Sequence, residues 1–414
     1  MTSAKLFPRA WLVVGLLWFV GLLNYLDRVM LTTMRGSLVE AIPMTDAQFG
    51  LLTSVFLWVY AALSPFAGFL ADRFSRTKVI VVSLLSWSVV TWLTGFATTY
   101  GELLATRALM GVTEACYIPA ALALITDYHR GDTRSRAEGI HISGIMLGSG
   151  LGGLGGWIAQ HYGWAHAFTI FGLVGIGYTV IVALLMRDAP REHVSGPIVT
   201  RLPDIRFGAA ITSLFTNSAF ILALAYWGLL GLAGWAVLGW MPTYMTENFN
   251  LSQGAAGLSA TGYLQASMLV GVLVGGFLSD RWYRTNSNSR IYVPFIGLCL
   301  AVPSMLMAVN TPVLAIAIAG LVGYGLTRAF VDSNMMPILC MVTDPRYRAT
   351  GYGVLNFCAT GIGGCAIYIG GALRDANVAL GKIFVFAALS LLVCAGLLLA
   401  IKAAIKNKPE AHPL

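Results

Sequence analysis

Twelve stretches of mostly apolar residues recur along the chain, each long enough to cross a bilayer as a helix, and they leave room for little else. About 20 such residues cover the hydrocarbon core. They lie near residues 10–34, 47–71, 79–98, 102–127, 138–160 and 165–186, then near 219–245, 255–279, 291–310, 312–342, 351–373 and 380–404. Backbone polar groups inside a bilayer must be satisfied by the chain itself, so runs of this kind fold as helices. Charged residues make up 11% of the chain, against about 25% in a soluble domain, and the mean hydropathy is +0.75. The expected fold is an all-α membrane protein with twelve transmembrane helices. The apolar run near the start exceeds a leader's length and no small-residue cleavage site follows it, so it reads as the first span.

Residues 187–217 form the longest polar insertion and sit near the middle of the chain. They divide it into an N-terminal six-helix bundle, 1–187, a linker, 188–217, and a C-terminal bundle, 218–414. The net charge of +8 does not point to nucleic acid, because the Lys and Arg residues fall in short loops between apolar runs. Most lie at the N-terminus, the even-to-odd loops, the linker and the tail, whereas Arg35, Arg374 and Lys382 lie on the other side. Cytoplasmic loops carry the excess of Lys and Arg, so both termini are expected in the cytoplasm of a cell with a bacterial-type inner membrane. The six cysteines lie in apolar runs with no CxxC pair and no His at ligand spacing, which reads as packing thiols and no metal site.

The halves repeat. GFLADRFSRTK at 68–78 follows the second span and GGFLSDRWYRT at 275–285 follows the eighth, which puts Asp72 and Asp280 208 positions apart. Two six-helix halves with this G-x-L-x-D-R sequence at matching positions resemble the major facilitator superfamily, in which two pseudo-symmetric bundles rock about a central site. Asp72, Arg73, Arg76, Asp280 and Arg281 are then expected to gate the cytoplasmic side, as charge clusters that latch the halves and break when that side opens.

Six further charges lie inside spans, where each costs at least about 2.5 kcal/mol and faces a cavity or a partner. Asp27 and Arg28 are in the first span, Arg107 and Glu114 in the fourth, Arg328 and Asp332 in the tenth. Arg107 and Glu114 are two turns, about 10.5 Å, apart on one helix face, so both can point into one cavity. Arg328 and Asp332 are four apart and can pair on their own helix. Asp27 and Arg28 diverge by about 100°, so one can hold a neighbouring helix while the other faces substrate. A carboxylate in such a place is poised between desolvation and the field of a nearby guanidinium, which suits Asp27 and Glu114 to carry protons. Arg328 keeps its charge and reads as an anion-binding fork with Asp332 as its secondary partner.

NYLDR in the first span, R-x6-EA-x3-PA in the fourth, W-x-P-x-Y at Trp240 to Tyr244 and GYGVLNF in the eleventh resemble the anion:cation symporter family, carriers of sugar acids and other organic anions with protons. The resemblance implies that Asp27 and Glu114 couple protons, that Arg28 and Arg107 are their partners or anion contacts, and that Asn356 hydrogen-bonds substrate. The same first- and fourth-span motifs resemble the Spinster-like transporters of lysophospholipids and sphingoid lipids, which stand as the alternative. The glycine-rich fifth span, HISGIMLGSGLGGLGGWIA, lacks the Gly-Pro pair of drug/proton antiporters. Its Gly144, Gly148, Gly152 and Gly156 lie at four-residue spacing and read as a smooth seam on which the halves rock.

Tyr25, Gln265 and Asn356 are further candidates for substrate contacts, whereas Trp227 and Trp240 read as packing or interface residues and no role falls to His141, His161 or His166. No hydrolase triad or metal-ligand spacing appears, so an enzyme is not expected. The expectation is a monomeric, proton-coupled symporter of a small organic anion, with H⁺ as coupling ion, no cofactor, and the bilayer as its other partner.

Overall fold

The computed structural model describes residues 3–129, 133–189 and 207–406. Twelve helices among them have the length and composition of membrane spans, and no strand occurs among the described residues. They are α1 (Pro8–Thr33), α2 (Asp46–Ser64), α3 (Arg76–Thr94), α4 (Tyr100–Tyr128), α5 (Arg136–Tyr162) and α6 (Trp164–Leu185) in the first half. The second half holds α7 (Ser218–Phe249), α8 (Gln253–Tyr283), α9 (Ser289–Val309), α10 (Leu314–Val342), α11 (Thr350–Asp375) and α12 (Leu380–Ile405). An even number of crossings puts both chain ends on one face, called here the terminal face. Leu184, Leu273, Phe277 and Phe386 stand outward, an apolar surface that water would penalise and lipid accepts.

Within the first half α1 packs on α5 and α3 on α6; within the second α9 packs on α10, and α7 on α11 and α12. The halves meet where α2 runs along α11 and where α5 meets α8. The helix begun at Asp46 continues to Arg73, and α8 reaches Tyr283, so Asp72 and Asp280 lie in last helical turns and not in loops. The Asp72 side chain and linker residues 190–206 lie outside the described residues. At the linker's start, the Asp188 carboxylate accepts the Thr77 amide at 2.8 Å at the head of α3. Burial opposes its charge, but hydrogen bonds from Ser75 and Thr77 prevail and hold the carboxyl below its usual range.

Two spans break in the same way. The α4 helix stops at Glu114 and resumes at Tyr117, and α10 stops at Asp332 and resumes at Met335. Pro119 and Pro337 account for both, since a proline lacks the N–H for the carbonyl four residues back and its ring clashes there. Those carbonyls belong to Ala115 and Ser333, each directly after the intramembrane acid.

The glycine ladder of α5 is placed differently from its sequence reading. Gly144, Gly148 and Gly152 face α1 of their own half, where an added Cβ would strike Trp18, the Leu22 carbonyl and Val29. The i, i+4 stripe stays on one helix face, and α1 occupies that face. Only Gly156, at the end of the ladder, also meets the second half, at the Gln253 carbonyl of α8, and the rest of the α8 contact comes from the intervening Gly150 and Gly153. The ladder therefore locks α5 to α1 and is not a sliding seam. Gly148→Val should cost about 3 kcal/mol, the upper part of the overpacking range, because the obstruction is backbone. Thermal melting in detergent checks this, with Gly177→Val, which meets nothing within 4 Å, melting as the parent; equal melting of both variants would refute it.

Candidate functional site

The first half gathers a buried charge cluster from α1 and α4. Arg28 donates from Nε to Glu114 Oε2 at 2.7 Å, and the two side chains are 3% and 0% exposed. Three aromatic rings surround the guanidinium, with Tyr25, Phe56 and Tyr60 centred 4.7, 5.1 and 4.4 Å away. Among the described residues, neither Arg28 Nη2, Glu114 Oε1 nor either amide atom of buried Asn24, which lies beside Glu114, makes a hydrogen bond of good geometry. Asp27 points to the other side of α1, where its Oδ2 accepts from Thr91 Oγ1 of α3 at 3.3 Å and its Oδ1 is unpartnered.

Arg107 is fully buried and has no ion pair among the described residues. Its Nε reaches the Leu52 carbonyl at 3.4 Å, its Nη1 the Met110 sulfur at 2.9 Å, and it stacks on Phe56 at 4.9 Å. Two acids and two bases thus make a neutral set in which only one pair is in contact. A buried network with several unsatisfied members is costly as it stands and is able to rearrange.

The second half offers a smaller counterpart on α10. Arg328 Nη1 donates to Asp332 Oδ2 at 3.1 Å within the helix, while its Nε is buried without a partner. The hydroxyls of Tyr226 and Tyr324, both buried and close enough to feel these charges, are also unpartnered. The side chains of Arg328 and Asp332 are 14% and 24% exposed, so this pair is within reach of a ligand where Arg28 and Arg107 are enclosed. Gln265 and Asn356 are half-buried, and the Asn356 side chain has no hydrogen bond among the described residues. Tyr352 of α11 is near enough to Tyr25 and Tyr60 to interact with them across the halves.

The face opposite the termini is closed. There Asp46 receives Arg35 from its own half and Arg374 from the other at 2.9 Å. Arg374 also holds Glu247 through two bonds of 2.9 and 2.8 Å. Asp375 accepts the Asp46 and Ala47 amides at 2.9 Å each, capping α2 from across the interface. Gln253, Ser54 and Trp58 add hydrogen bonds deeper in. Among the described residues, every hydrogen bond between the halves lies from this face down to about mid-membrane. At the terminal face Arg76 turns onto the end of α4, pairing with Asp127 and donating to the Ala123 carbonyl at 3.0 Å. Arg73, Asp280 and Arg281 are exposed there, and neither Asp280 nor Arg281 has a partner among the described residues.

Several residues take structural places. Trp240 donates to the Ile367 carbonyl at 3.0 Å and Trp227 is buried. His141 is packed against the Tyr117 hydroxyl at 2.8 Å. The sequence reading did not find Asn24, Thr91, Tyr60, Tyr352 or the acids Asp46, Glu247 and Asp375. The signal for the last set was available: Arg35 and Arg374 are among the few basic residues on that face, and these acids adjoin the same helix ends.

The sequence profile of the Major Facilitator Superfamily matches residues 17–368. The chain is 28% identical over 370 residues to a Cupriavidus necator protein named "Probable sulfoacetate transporter SauU", covering 85% of this chain and 84% of that one. It is also 28% identical over 381 residues to Protein spinster of Drosophila melanogaster, covering 88% of this chain but spanning only 62% of the fly protein. A crystal structure of a bacterial homologue of the human lysosomal transporter Spinster, inward-facing and unoccupied, superposes with a TM-score of 0.77 at 22% identity, covering 98% of this chain and 97% of that one.

Proposed function

The chain belongs to the major facilitator superfamily and is a multi-pass membrane transporter, and from that premise we propose that it carries a small organic anion together with a proton. The reading rests on Arg328, a guanidinium half-satisfied by Asp332, reachable from open space, and set opposite an enclosed cluster holding two carboxylates. A planar fork with a free edge suits a carboxylate or sulfonate, and the relative named for sulfoacetate is matched along most of its length.

In the cycle proposed, protonation of Glu114 removes the negative partner of Arg28, which is then free to turn toward the anion held at Arg328. Asp27, hydrogen-bonded to Thr91, is the second proton site. Arg107 balances the charge, and Asn356, Gln265 and Tyr25 complete the substrate contacts. The bundles of 1–187 and 218–414 rock about this site, with 188–217 joining them. The closed face is the external one, because the basic residues crowd the terminal face, and the Asp72, Arg73, Arg76, Asp280 and Arg281 clusters engage when the cytoplasmic side closes. A monomer in a bacterial inner membrane suffices for this route.

The aromatic set of Tyr25, Phe56, Tyr60 and Tyr352 favours one second reading, a lysolipid or sphingoid lipid carrier of Spinster type. Thermal melting of the purified protein against sulfoacetate, aldonates, short dicarboxylates and lysolipids separates the two. A ligand at a hundred times its Kd adds roughly 2.7 kcal/mol to stability. An anion should raise the melting temperature of the parent and lose that effect in Arg328→Ala. Stabilisation by lysolipids alone would replace the anion reading.

A further inference from the structure

Outside the route between the halves, the second half carries a groove of about 660 Å³ at the terminal face, between the end of α8, the first half of α9 and Phe330 of α10. Its floor and sides are apolar: Leu278, Val293, Ile296 and Phe330. Leu278 and Ile296 are exposed on the outer surface, so the groove opens sideways toward lipid. It reaches seven residues into α9, about 10 Å along the helix axis. At its mouth stand Arg281 and Arg284, neither of which has a hydrogen bond or ion pair among the described residues. Asp280 is four residues before Arg284, the spacing at which helical ion pairs form, yet the two are unpaired, and α9 contributes no acid. Beside the mouth, Trp282 stacks on Tyr292 at 5.8 Å and Arg290 lies over the Tyr283 ring at 4.4 Å. Aromatic rings of this kind collect at the headgroup level of a bilayer.

We propose that this groove is a binding site for an anionic phospholipid, with the phosphate diester on Arg281 and Arg284 and one acyl chain laid along Leu278, Val293 and Ile296. The charge is complementary, and basic pockets between spans at such a face suit acidic headgroups. A zwitterionic lipid offers the same chains but adds a cation facing two unneutralised guanidinium groups. A soluble phosphate ester offers the charge with nothing to fill the apolar floor. Each arginine near an acidic headgroup contributes roughly a fivefold factor, so the pair should give about 25-fold preference for the anionic lipid.

The experiment is competitive retention on the full-length protein in mixed micelles, read by native mass spectrometry, with phosphatidylglycerol against phosphatidylcholine of identical chains and with glycerol 3-phosphate as the chainless probe. The parent should retain phosphatidylglycerol, glycerol 3-phosphate should not displace it, and Arg281→Ala/Arg284→Ala should bring the two lipids to parity. Ile296→Trp, which fills the groove and leaves both charges, should also lose the retained lipid. Unchanged preference in the double variant would overturn the proposal. So would retention in Ile296→Trp, because a loose surface charge effect would then be enough, and so would displacement by glycerol 3-phosphate. Should the double variant not fold, the Ile296→Trp and glycerol 3-phosphate results decide by themselves.

Discussion

Glu114→Gln should abolish proton-driven accumulation while leaving some exchange of internal for external anion. The substitution keeps the shape of the side chain and removes its charge, so Arg28, 3% exposed and boxed by Tyr25, Phe56 and Tyr60, loses its contacting counter-ion. Removing one member of a buried ion pair costs about 3–5 kcal/mol, because the other is left as an uncompensated charge. A fall in melting temperature should therefore accompany the loss of coupling. Replacing both members with apolar residues of similar volume is often neutral, so Glu114→Leu/Arg28→Met should melt above Glu114→Gln and still fail to accumulate substrate. Uptake and counterflow in proteoliposomes, beside melting curves of the three proteins, make the comparison. Full accumulation by Glu114→Gln would remove this carboxylate from the mechanism, and a double variant that melts no higher would remove the buried charge as the cause.

Asp46→Ala should open the face opposite the termini. The Asp46 carboxylate takes Arg35 from the first half and Arg374 from the second, whereas Glu247 holds Arg374 closely and reaches Arg35 only at 4.0 Å. Without it, Arg374 keeps Glu247 but loses its direct hold on the first half, and the long Arg35–Glu247 contact is the ion pair left across this face among the described residues. Charge-assisted bonds are worth about 1.5–3 kcal/mol when buried, but these groups are partly exposed and solvent screens them. A discounted loss of about 1.4 kcal/mol moves a two-state population tenfold. Spin labels at Glu40 and Lys382, exposed on this face in opposite halves, should report it as a new long-distance population in pulsed electron resonance. Adding Asp375→Ala, which also uncaps α2, should enlarge that population. An unchanged distance distribution in both variants would show that the remaining contacts, α2 packed against α11 with the Ser54, Trp58 and Gln253 hydrogen bonds and the Arg35–Glu247 pair, are enough to keep this face shut.

These cases show where the sequence is sufficient. Each of the twelve spans is fixed by its own residues, since a segment in hydrocarbon must satisfy its backbone internally whatever packs beside it. The breaks after Glu114 and Asp332 are equally local, each set by a proline five residues on. The Arg328–Asp332 pair follows from helical spacing alone. Sequence could not say that Arg28 selects Glu114, 86 residues away, while Asp27 turns to Thr91 and Arg107 remains unpaired, because partner choice depends on how closely α1, α3 and α4 approach. Nor could it say that Arg374 reaches Asp46 across 328 residues, or that the four-residue glycine stripe of α5 would meet α1 and not the other half. Periodicity defines a helix face but not the neighbour that covers it, and neighbours are chosen by packing over the whole molecule.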